Sequence, residues 1–206
     1  DRHGGLTLLV IERATPGFSV GKPLEKMGWC ASDTGELFFQ DCRVPIGNRL
    51  GDEGAGFLGI MVNFVAERLI LAASCVSIAQ LALDQTISYV QQREAFGRTL
   101  SGFQVTRHKV AEMASRTTAA RAFVSTVAAR HRDGEDVGTE VAMAKNMAVE
   151  ACSFVTDAAV QLHGGMGYMR ESLVERLYRD ARLYPIGGGT TEIMRELISR
   201  RLLAGP

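Results

Sequence analysis

The residue best suited to moving a proton is Glu67, a lone carboxylate in an apolar stretch. Apart from Arg68 beside it, every other residue in 64–72 is apolar. We therefore expect both charges to be at least half buried. A carboxylate held among apolar groups is disfavoured in its charged form, which makes it a stronger base near neutral pH. The same pattern also suits an ordinary salt-bridged or solvated glutamate on the edge of a helical bundle.

A run of three glycines, residues 187–189, comes directly before a predicted helix start at Thr190 or Thr191. Glycine lets the backbone approach a ligand closely, and the first N–H groups of a helix can donate to a ligand oxygen. A flexible turn is the alternative interpretation.

Two further segments contain groups that could contact a nucleotide. Residues 93–98 combine basic side chains with Phe96, which suits charge pairing and stacking, although an exposed basic turn fits equally well. The glycine-rich residues 161–168 lack the preceding strand and the Lys-Ser/Thr pair of a phosphate-binding P-loop. His163 within them has no second ligand at metal-binding spacing, so we expect no metal site.

Composition narrows the class of protein. The chain has 206 residues, 46% of them hydrophobic, and 23 basic residues balance 23 acidic ones. This balance of charge does not indicate binding to nucleic acid or to an anionic membrane. The scattered cysteines predict free thiols in a reducing compartment. No leader sequence is visible, and no uninterrupted apolar run reaches the roughly 20 residues of a membrane span, so we expect a cytoplasmic protein.

Two composition regimes meet near Gly54. Before it, residues 6–11 read as a buried strand and residues 36–39 as a second strand, with turns between them. After it, Ala-, Leu- and Met-rich stretches predict helices, which are ended by glycines. The predicted helices are 54–92, 100–132, 138–163, 171–181 and 190–203. The predicted fold is mainly α, with the long helices packed antiparallel as a bundle.

Several ordered motifs resemble those of the acyl-CoA dehydrogenase family. They are residues 26–29, 32–34, 36–37, 41–45, 54–57, 93–97, 161–165, 179–181 and 185–195. The resemblance implies that residues 1–50 are part of a middle β-domain and that residues 51–206 form a C-terminal four-helix bundle. The family's N-terminal helical domain has no counterpart in this sequence.

The resemblance also assigns the base. The family's closing motif commonly carries a catalytic Glu where this chain has Gly188, which cannot accept a proton. The isovaleryl-type and long-chain-type branches resemble the present arrangement, with the base on the first bundle helix. The resemblance thus makes Glu67 the catalytic residue, with Arg68 and Gly188 as substrate-binding residues.

The same resemblance implies FAD and an assembly that shares it. Residues expected to hold the pyrophosphate and adenine of a neighbouring subunit's FAD are Arg93, Phe96 and Gln104. Those expected at the adenosine end are Gln161 and Gly165, and those nearer the ribityl chain are Thr190 and Glu192. Sharing across subunits implies a homotetramer, or at least a dimer.

The implied reaction is α,β-dehydrogenation of an acyl-CoA thioester. Glu67 would take the α-proton, a hydride would pass from the β-carbon to the flavin, and an electron-transfer flavoprotein would receive the electrons. An acyl-CoA oxidase and a non-catalytic helical scaffold or fragment are the alternatives. The sequence does not indicate which length or branching of the acyl chain is preferred. Gly187, where many members have Tyr, leaves room near the base.

Overall fold

The computed structural model describes residues 5–204 and divides into two compact units, Asp1–Phe64 and Val65–Pro206. The prediction of a mainly helical fold is confirmed. The first long helix, α1 (Gly56–Gln92), begins in the first unit and continues through the second. The predicted domain boundary between residues 50 and 51 stays a prediction.

The first unit contains two small antiparallel pairs of strands. Strand β1 (Leu8–Leu9) pairs with β4 (Arg49–Leu50), and β2 (Phe18–Val20) pairs with β3 (Leu37–Phe39). The expected strand at 36–39 is confirmed. The expectation that residues 6–11 form a buried strand is wrong, because Leu6, Leu9 and Val10 are each about half exposed. A two-residue strand with one short partner covers few of its side chains.

The second unit is a bundle whose helices match the prediction closely. After α1 come α2 (Gln104–Arg132), α3 (Gly138–His163), α4 (Leu173–Ala181) and α5 (Thr191–Leu203). Gly134 follows α2 with φ 85° and Gly164 caps α3 with φ 59°. Both φ values lie in the left-handed region that glycine adopts at helix C-termini. The prediction that glycines end the helices is therefore confirmed for α2 and α3.

Small residues let α1 pack closely within the bundle. Ala72, Cys75, Ala79 and Ala82 are fully buried in the core that α2 and α3 share. Their alternating spacing of three and four residues places them on one helix face. The Cys75 thiol forms a hydrogen bond with the Cys152 thiol of α3, and this hydrogen bond and burial raise the pKa of Cys75. All four cysteines are free, as expected.

A short hairpin joins α1 to α2, where the sequence predicts only a turn. Strand β5 (Glu94–Ala95) pairs with β6 (Arg98–Thr99) across Phe96 and Gly97. These two residues have φ values of 54° and 80°. Two-residue hairpin loops need such positive φ angles, which glycine adopts freely and phenylalanine rarely does.

Helix α1 is long and apolar enough to cross a membrane, by length and composition alone. The core helix of a soluble bundle has the same properties, and α1 contributes core residues from Ala72 to Val90. This is weak evidence for a span, and the expected absence of one stays a prediction.

Candidate functional site

Two cationic side chains hold the glycine loop that precedes α5. Arg68 of α1 donates from Nε to the carbonyl oxygen of Gly188 at 2.9 Å. Lys145 of α3 donates from Nζ to the carbonyl oxygen of Gly189 at 2.5 Å. Gly188 and Gly189 have φ values of 67° and 100°, which side-chain-bearing residues seldom adopt. The loop is therefore fixed in a conformation that requires glycine.

Burial shields both cations from water, Lys145 fully and Arg68 in part. Lys145 is fully buried. Burial lowers its pKa, the charge of Arg68 lowers it further, and Cys75 opposes the change. Burial also lowers the pKa of Arg68, against the attraction of Glu67. The loop thus rests on two positive groups in a region of low dielectric, where charge interactions are stronger than in water.

The loop presents backbone donors without protein acceptors. Within residues 5–204, the N–H groups of Gly188, Gly189 and Thr190 donate no hydrogen bond. Thr190 caps α5, since its hydroxyl accepts from the N–H of Ile193 at 3.3 Å. Hydrogen bonds from its own N–H and from Thr190 lower the pKa of Glu192. The loop and the start of α5 together form a donor-rich surface that suits a ligand oxygen.

Neighbouring side chains occupy the space beside the two central glycines of the loop. A Cβ on Gly188 would lie 2.6 Å from Leu71 Cδ1 of α1, and one on Gly189 would lie 2.8 Å from Met194 Cε of α5. Real structures do not show contacts this short, so the ends of the Leu71 and Met194 side chains would have to move to admit a side chain. The absence of a carboxylate at position 188 therefore agrees with how closely α1 packs on the loop.

Glu67 is placed differently from the expectation. It is exposed, so the prediction that it is at least half buried is wrong, whereas Arg68 is partly buried. Asn63 and Ile70, one turn away on either side, are exposed as well. This face of α1 points away from the core although the helix is apolar around most of its circumference. Because Arg68 binds Gly188, the turn of α1 that carries Glu67 is nevertheless fixed against the loop.

A cavity of about 650 Å³ brings together three of the predicted cofactor residues, Arg93, Gln161 and Gly165. Tyr89 and His163 also line it, with ring centroids 4.2 Å apart. The Tyr89 hydroxyl donates to the carbonyl of His163 at 3.2 Å. Burial lowers the pKa of His163, and the contact of Nδ1 with the Ala159 carbonyl, at 2.7 Å, opposes that change.

The remaining predicted cofactor residues lie outside this cavity. Phe96 is 95% exposed at the tip of the β5–β6 hairpin, with Phe103 edge-on to it at 6.4 Å between ring centroids. Gln104 is the first residue of α2. Thr190 and Glu192 stand at the start of α5. Their roles, like the substrate contacts of Arg68 and Gly188, stay predictions.

Three residues at the loop were missed by sequence reasoning: Leu71, Lys145 and Asn146. Asn146 donates from Nδ2 to the carbonyl of Thr191 at 3.2 Å, and its buried Oδ1 has no hydrogen-bond partner among residues 5–204. Lys145 and Asn146 are the polar exceptions in an apolar stretch of α3. A charged residue within an apolar helical stretch is the signal that indicated Glu67, and the same signal is present at Lys145.

The lining of the cavity has the right chemistry for a dinucleotide cofactor. A guanidinium from Arg93 suits a pyrophosphate, and the Gln161 amide and an aromatic pair suit an adenine ring. Within the described range 5–204, no three His, Cys, Asp or Glu side chains are grouped to hold a metal ion.

Comparisons with known proteins agree with one another. The family model for the acyl-CoA dehydrogenase C-terminal domain matches residues 54–203. The chain is 42% identical over 97% of its length to an NADH-dependent acryloyl-CoA reductase of Anaerotignum propionicum, covering 50% of that protein. It is equally 42% identical, over 97% of its length, to the long-chain acyl-CoA dehydrogenase of Rattus norvegicus, covering 46% of it.

A solved structure extends the match to three dimensions. It is described as a probable acyl-CoA dehydrogenase of Mycobacterium abscessus, with a TM-score of 0.96 and 53% identity over 97% of this chain and 53% of that one. The chain spans about half the length of the curated relatives it matches. Through the helical bundle that carries the glycine loop, this chain belongs to the acyl-CoA dehydrogenase family.

Proposed function

We propose that the full-length protein is an FAD-dependent acyl-CoA dehydrogenase that oxidises the Cα–Cβ bond of an acyl-CoA thioester. One observation carries the proposal: Arg68 binds the carbonyl of Gly188. That bond joins the helical turn carrying a carboxylate, Glu67, to a loop whose N–H groups have no acceptor in residues 5–204. A base and an oxyanion-type donor surface therefore belong to one packed unit.

The chemistry follows from the weak acidity of a thioester's α-proton. As that proton leaves, negative charge develops on the carbonyl oxygen, and N–H groups of the loop, from Gly188 to Thr190, stabilise this charge by donating to it. Glu67 accepts the proton and becomes neutral. Bound FAD would supply the acceptor for the hydride that leaves the β-carbon.

Substrate binding would also complete the environment of the base. Glu67 and Ile70 share an exposed face of α1. An acyl chain lying on this face would displace water from both side chains. Loss of water favours the neutral carboxyl group over the charged carboxylate, and so favours transfer of a proton to the carboxylate. The acyl group would therefore complete the surroundings in which Glu67 accepts the proton.

For the cofactor, we propose that Arg93, Gln161 and Gly165 hold the adenosine diphosphate portion, because these residues line one cavity. Phe96 and Gln104 would complete the site in a homotetramer, and Thr190 and Glu192 would contact the portion nearer the flavin. The four free thiols support a reducing, cytoplasmic location.

We further propose that an electron-transfer flavoprotein takes up the electrons, as the family resemblance implies. An oxidase would instead be reoxidised by oxygen. Anaerobic reduction of the full-length protein by an acyl-CoA, followed by addition of either oxygen or an electron-transfer flavoprotein, distinguishes the two. Faster flavin reoxidation by the protein acceptor is the expected result.

The test of the proposed function is Glu67→Gln in the full-length protein, which keeps the size of the side chain but removes the base. Flavin reduction by an acyl-CoA panel should fall at least about 10²-fold, with FAD content unchanged. Glu112→Gln is the matched control, since Glu112 pairs with Arg116 on α2 at 2.6 Å and is half exposed. Near-normal reduction in Glu67→Gln would remove Glu67 from the mechanism. A wild-type protein that no acyl-CoA reduces would refute the function itself.

A further inference from the structure

Lys145 is an unusual core residue. Its side chain is fully buried in α3, among the largest buried side chains of the bundle. Within the described residues it forms no ion pair with a carboxylate, and its ammonium group donates to the Gly189 carbonyl. A buried cation without a counter-ion is costly to a fold. A helical bundle could fill this position with an apolar side chain of the same length.

The position of the Lys145 ammonium group relative to the peptide units of the loop suggests why a lysine stands in the core. The carbonyl of Gly188, which Arg68 binds, shares its peptide unit with the N–H of Gly189. The carbonyl of Gly189, which Lys145 binds, shares its unit with the N–H of Thr190. In a trans peptide the C=O and the N–H point in opposite directions. Both cations therefore lie on the carbonyl side, and both N–H groups face away from them.

Cations on the carbonyl side also strengthen the donors. A positive group bonded to a carbonyl polarises the whole peptide unit, so its N–H becomes a stronger donor at the opposite end. These N–H groups have no acceptor within residues 5–204. The two glycines would otherwise leave the loop free to adopt several conformations. Lys145 and Arg68 thus fix the direction of these N–H groups and make them stronger hydrogen-bond donors.

We propose that Lys145 is a positioning residue which, with Arg68, orients and polarises the peptide units of residues 188–190 toward the carbonyl oxygen of an acyl thioester. Lys145 does not touch the substrate; it acts through the backbone of Gly189. This inference rests on the proposed function, because it assumes that an acyl thioester binds at the loop.

The test uses Lys145→Met in the full-length, FAD-loaded protein. Met has an unbranched side chain close in length to Lys but carries neither charge nor donor. The control is Thr117→Val, which removes another buried donor, the α2 hydroxyl that donates to the Met113 carbonyl at 2.9 Å. Two properties are measured: kcat and KM for flavin reduction by an acyl-CoA, and the infrared carbonyl stretch of a bound thioester labelled with carbon-13. The bound thioester carries sulfur at its β-position, so it cannot lose a β-hydride.

In Lys145→Met, kcat should fall at least about ten-fold while KM changes less than about three-fold, because the lost interaction acts on the developing charge. The carbonyl stretch should move toward that of the free thioester. Thr117→Val should lower the unfolding midpoint without moving the carbonyl band. A Lys145→Met protein with an unshifted band and a kcat within about three-fold of wild type would overturn the proposal.

A second variant covers the case in which Lys145→Met does not fold. Lys145→Gln keeps a neutral donor for the Gly189 carbonyl, and it should give a carbonyl band between those of wild type and the free thioester. An unshifted band in this variant would equally overturn the proposal. Failure of the proposed function is a separate result, since it appears in the wild type as the absence of flavin reduction by any acyl-CoA.

Discussion

Leu71 occupies the space that a side chain on Gly188 would need. A Cβ at position 188 would lie 2.6 Å from Leu71 Cδ1, and φ at this position is 67°. Leu71 stands one turn after Glu67 on α1. The helix that carries the proposed base therefore also fills, with Leu71, the space beside the loop position where the family commonly keeps a carboxylate.

Gly188→Ala should destabilise the bundle for two separable reasons. The left-handed backbone costs an alanine about 1–2 kcal/mol, and the contact with Leu71 adds to this. We expect the free energy of unfolding to fall by about 1–3 kcal/mol in a denaturant titration. In a Leu71→Ala background the additional loss should shrink to the backbone part.

Gly165→Ala is the control for that series. A Cβ on Gly165 meets nothing within 4 Å, and its φ is not positive. Its effect should stay within about 0.5 kcal/mol of wild type. Equal losses for the two alanines would contradict the steric role of Leu71.

Moving the base back to the loop should require a third substitution. Glu67→Gln with Gly188→Glu should remain at least about 10²-fold below wild type in flavin reduction, because the left-handed backbone strains a side chain at position 188 and Leu71 occupies the space that it would need. Adding Leu71→Ala should restore part of the rate, most with short acyl chains, since the new carboxylate fills space. Stopped-flow bleaching of the flavin measures both variants.

Two results would contradict this interpretation. An active double variant would show that the loop accepts a side chain despite Leu71. A triple variant that folds and binds FAD, yet reduces no flavin with any chain length, would show that the two base positions are not interchangeable in this protein.

The helices could be predicted because their signals are local. Glycines stand beyond the ends of α2 and α3, and small residues recur along α1 at helical spacing. The family resemblance assigned both Arg93 and Gln161 to FAD; the two residues line one cavity, and their contact with FAD stays a prediction.

Contacts between distant segments could not be predicted in the same way. Which face of α1 meets the core depends on α3 and on the loop, so an apolar neighbourhood in sequence did not bury Glu67. The bonds from Arg68 and Lys145 to the loop join residues separated by 120 and 44 positions. Strand signals at residues 6–11 likewise did not reveal that β1 has a single short partner.

Arg93→Ala in the full-length protein should weaken FAD binding about 10- to 100-fold, as expected for loss of one charge-assisted contact to a phosphate. Arg93 lines the cavity with Gln161 and Gly165. Fluorescence titration of the apoprotein with FAD measures the change. Arg132→Ala is the control, because Arg132 is 76% exposed at the end of α2. An unchanged affinity in Arg93→Ala would place the pyrophosphate elsewhere.

His163 should make the bundle less stable in mild acid. Burial lowers its pKa in the folded state below the ordinary value of 6.5. As the pH falls through 6.5, the unfolded chain therefore takes up a proton more readily than the folded chain, and the free energy of unfolding decreases. Well above pH 6.5 His163 is neutral in both the folded and the unfolded chain, so the effect on stability vanishes.

His163→Phe tests this linkage, because phenylalanine can keep the stacking on Tyr89 but cannot take up a proton. Thermal unfolding is followed by circular dichroism from about pH 7.5 to about pH 5.5, a range that spans the ordinary histidine pKa. The wild-type midpoint should fall more steeply with decreasing pH than that of the variant. Measurement at the upper end of the range separates the constant cost of losing the Nδ1 contact with Ala159 from the pH-dependent part. Parallel curves for the two proteins would show that the protonation of His163 is not linked to folding.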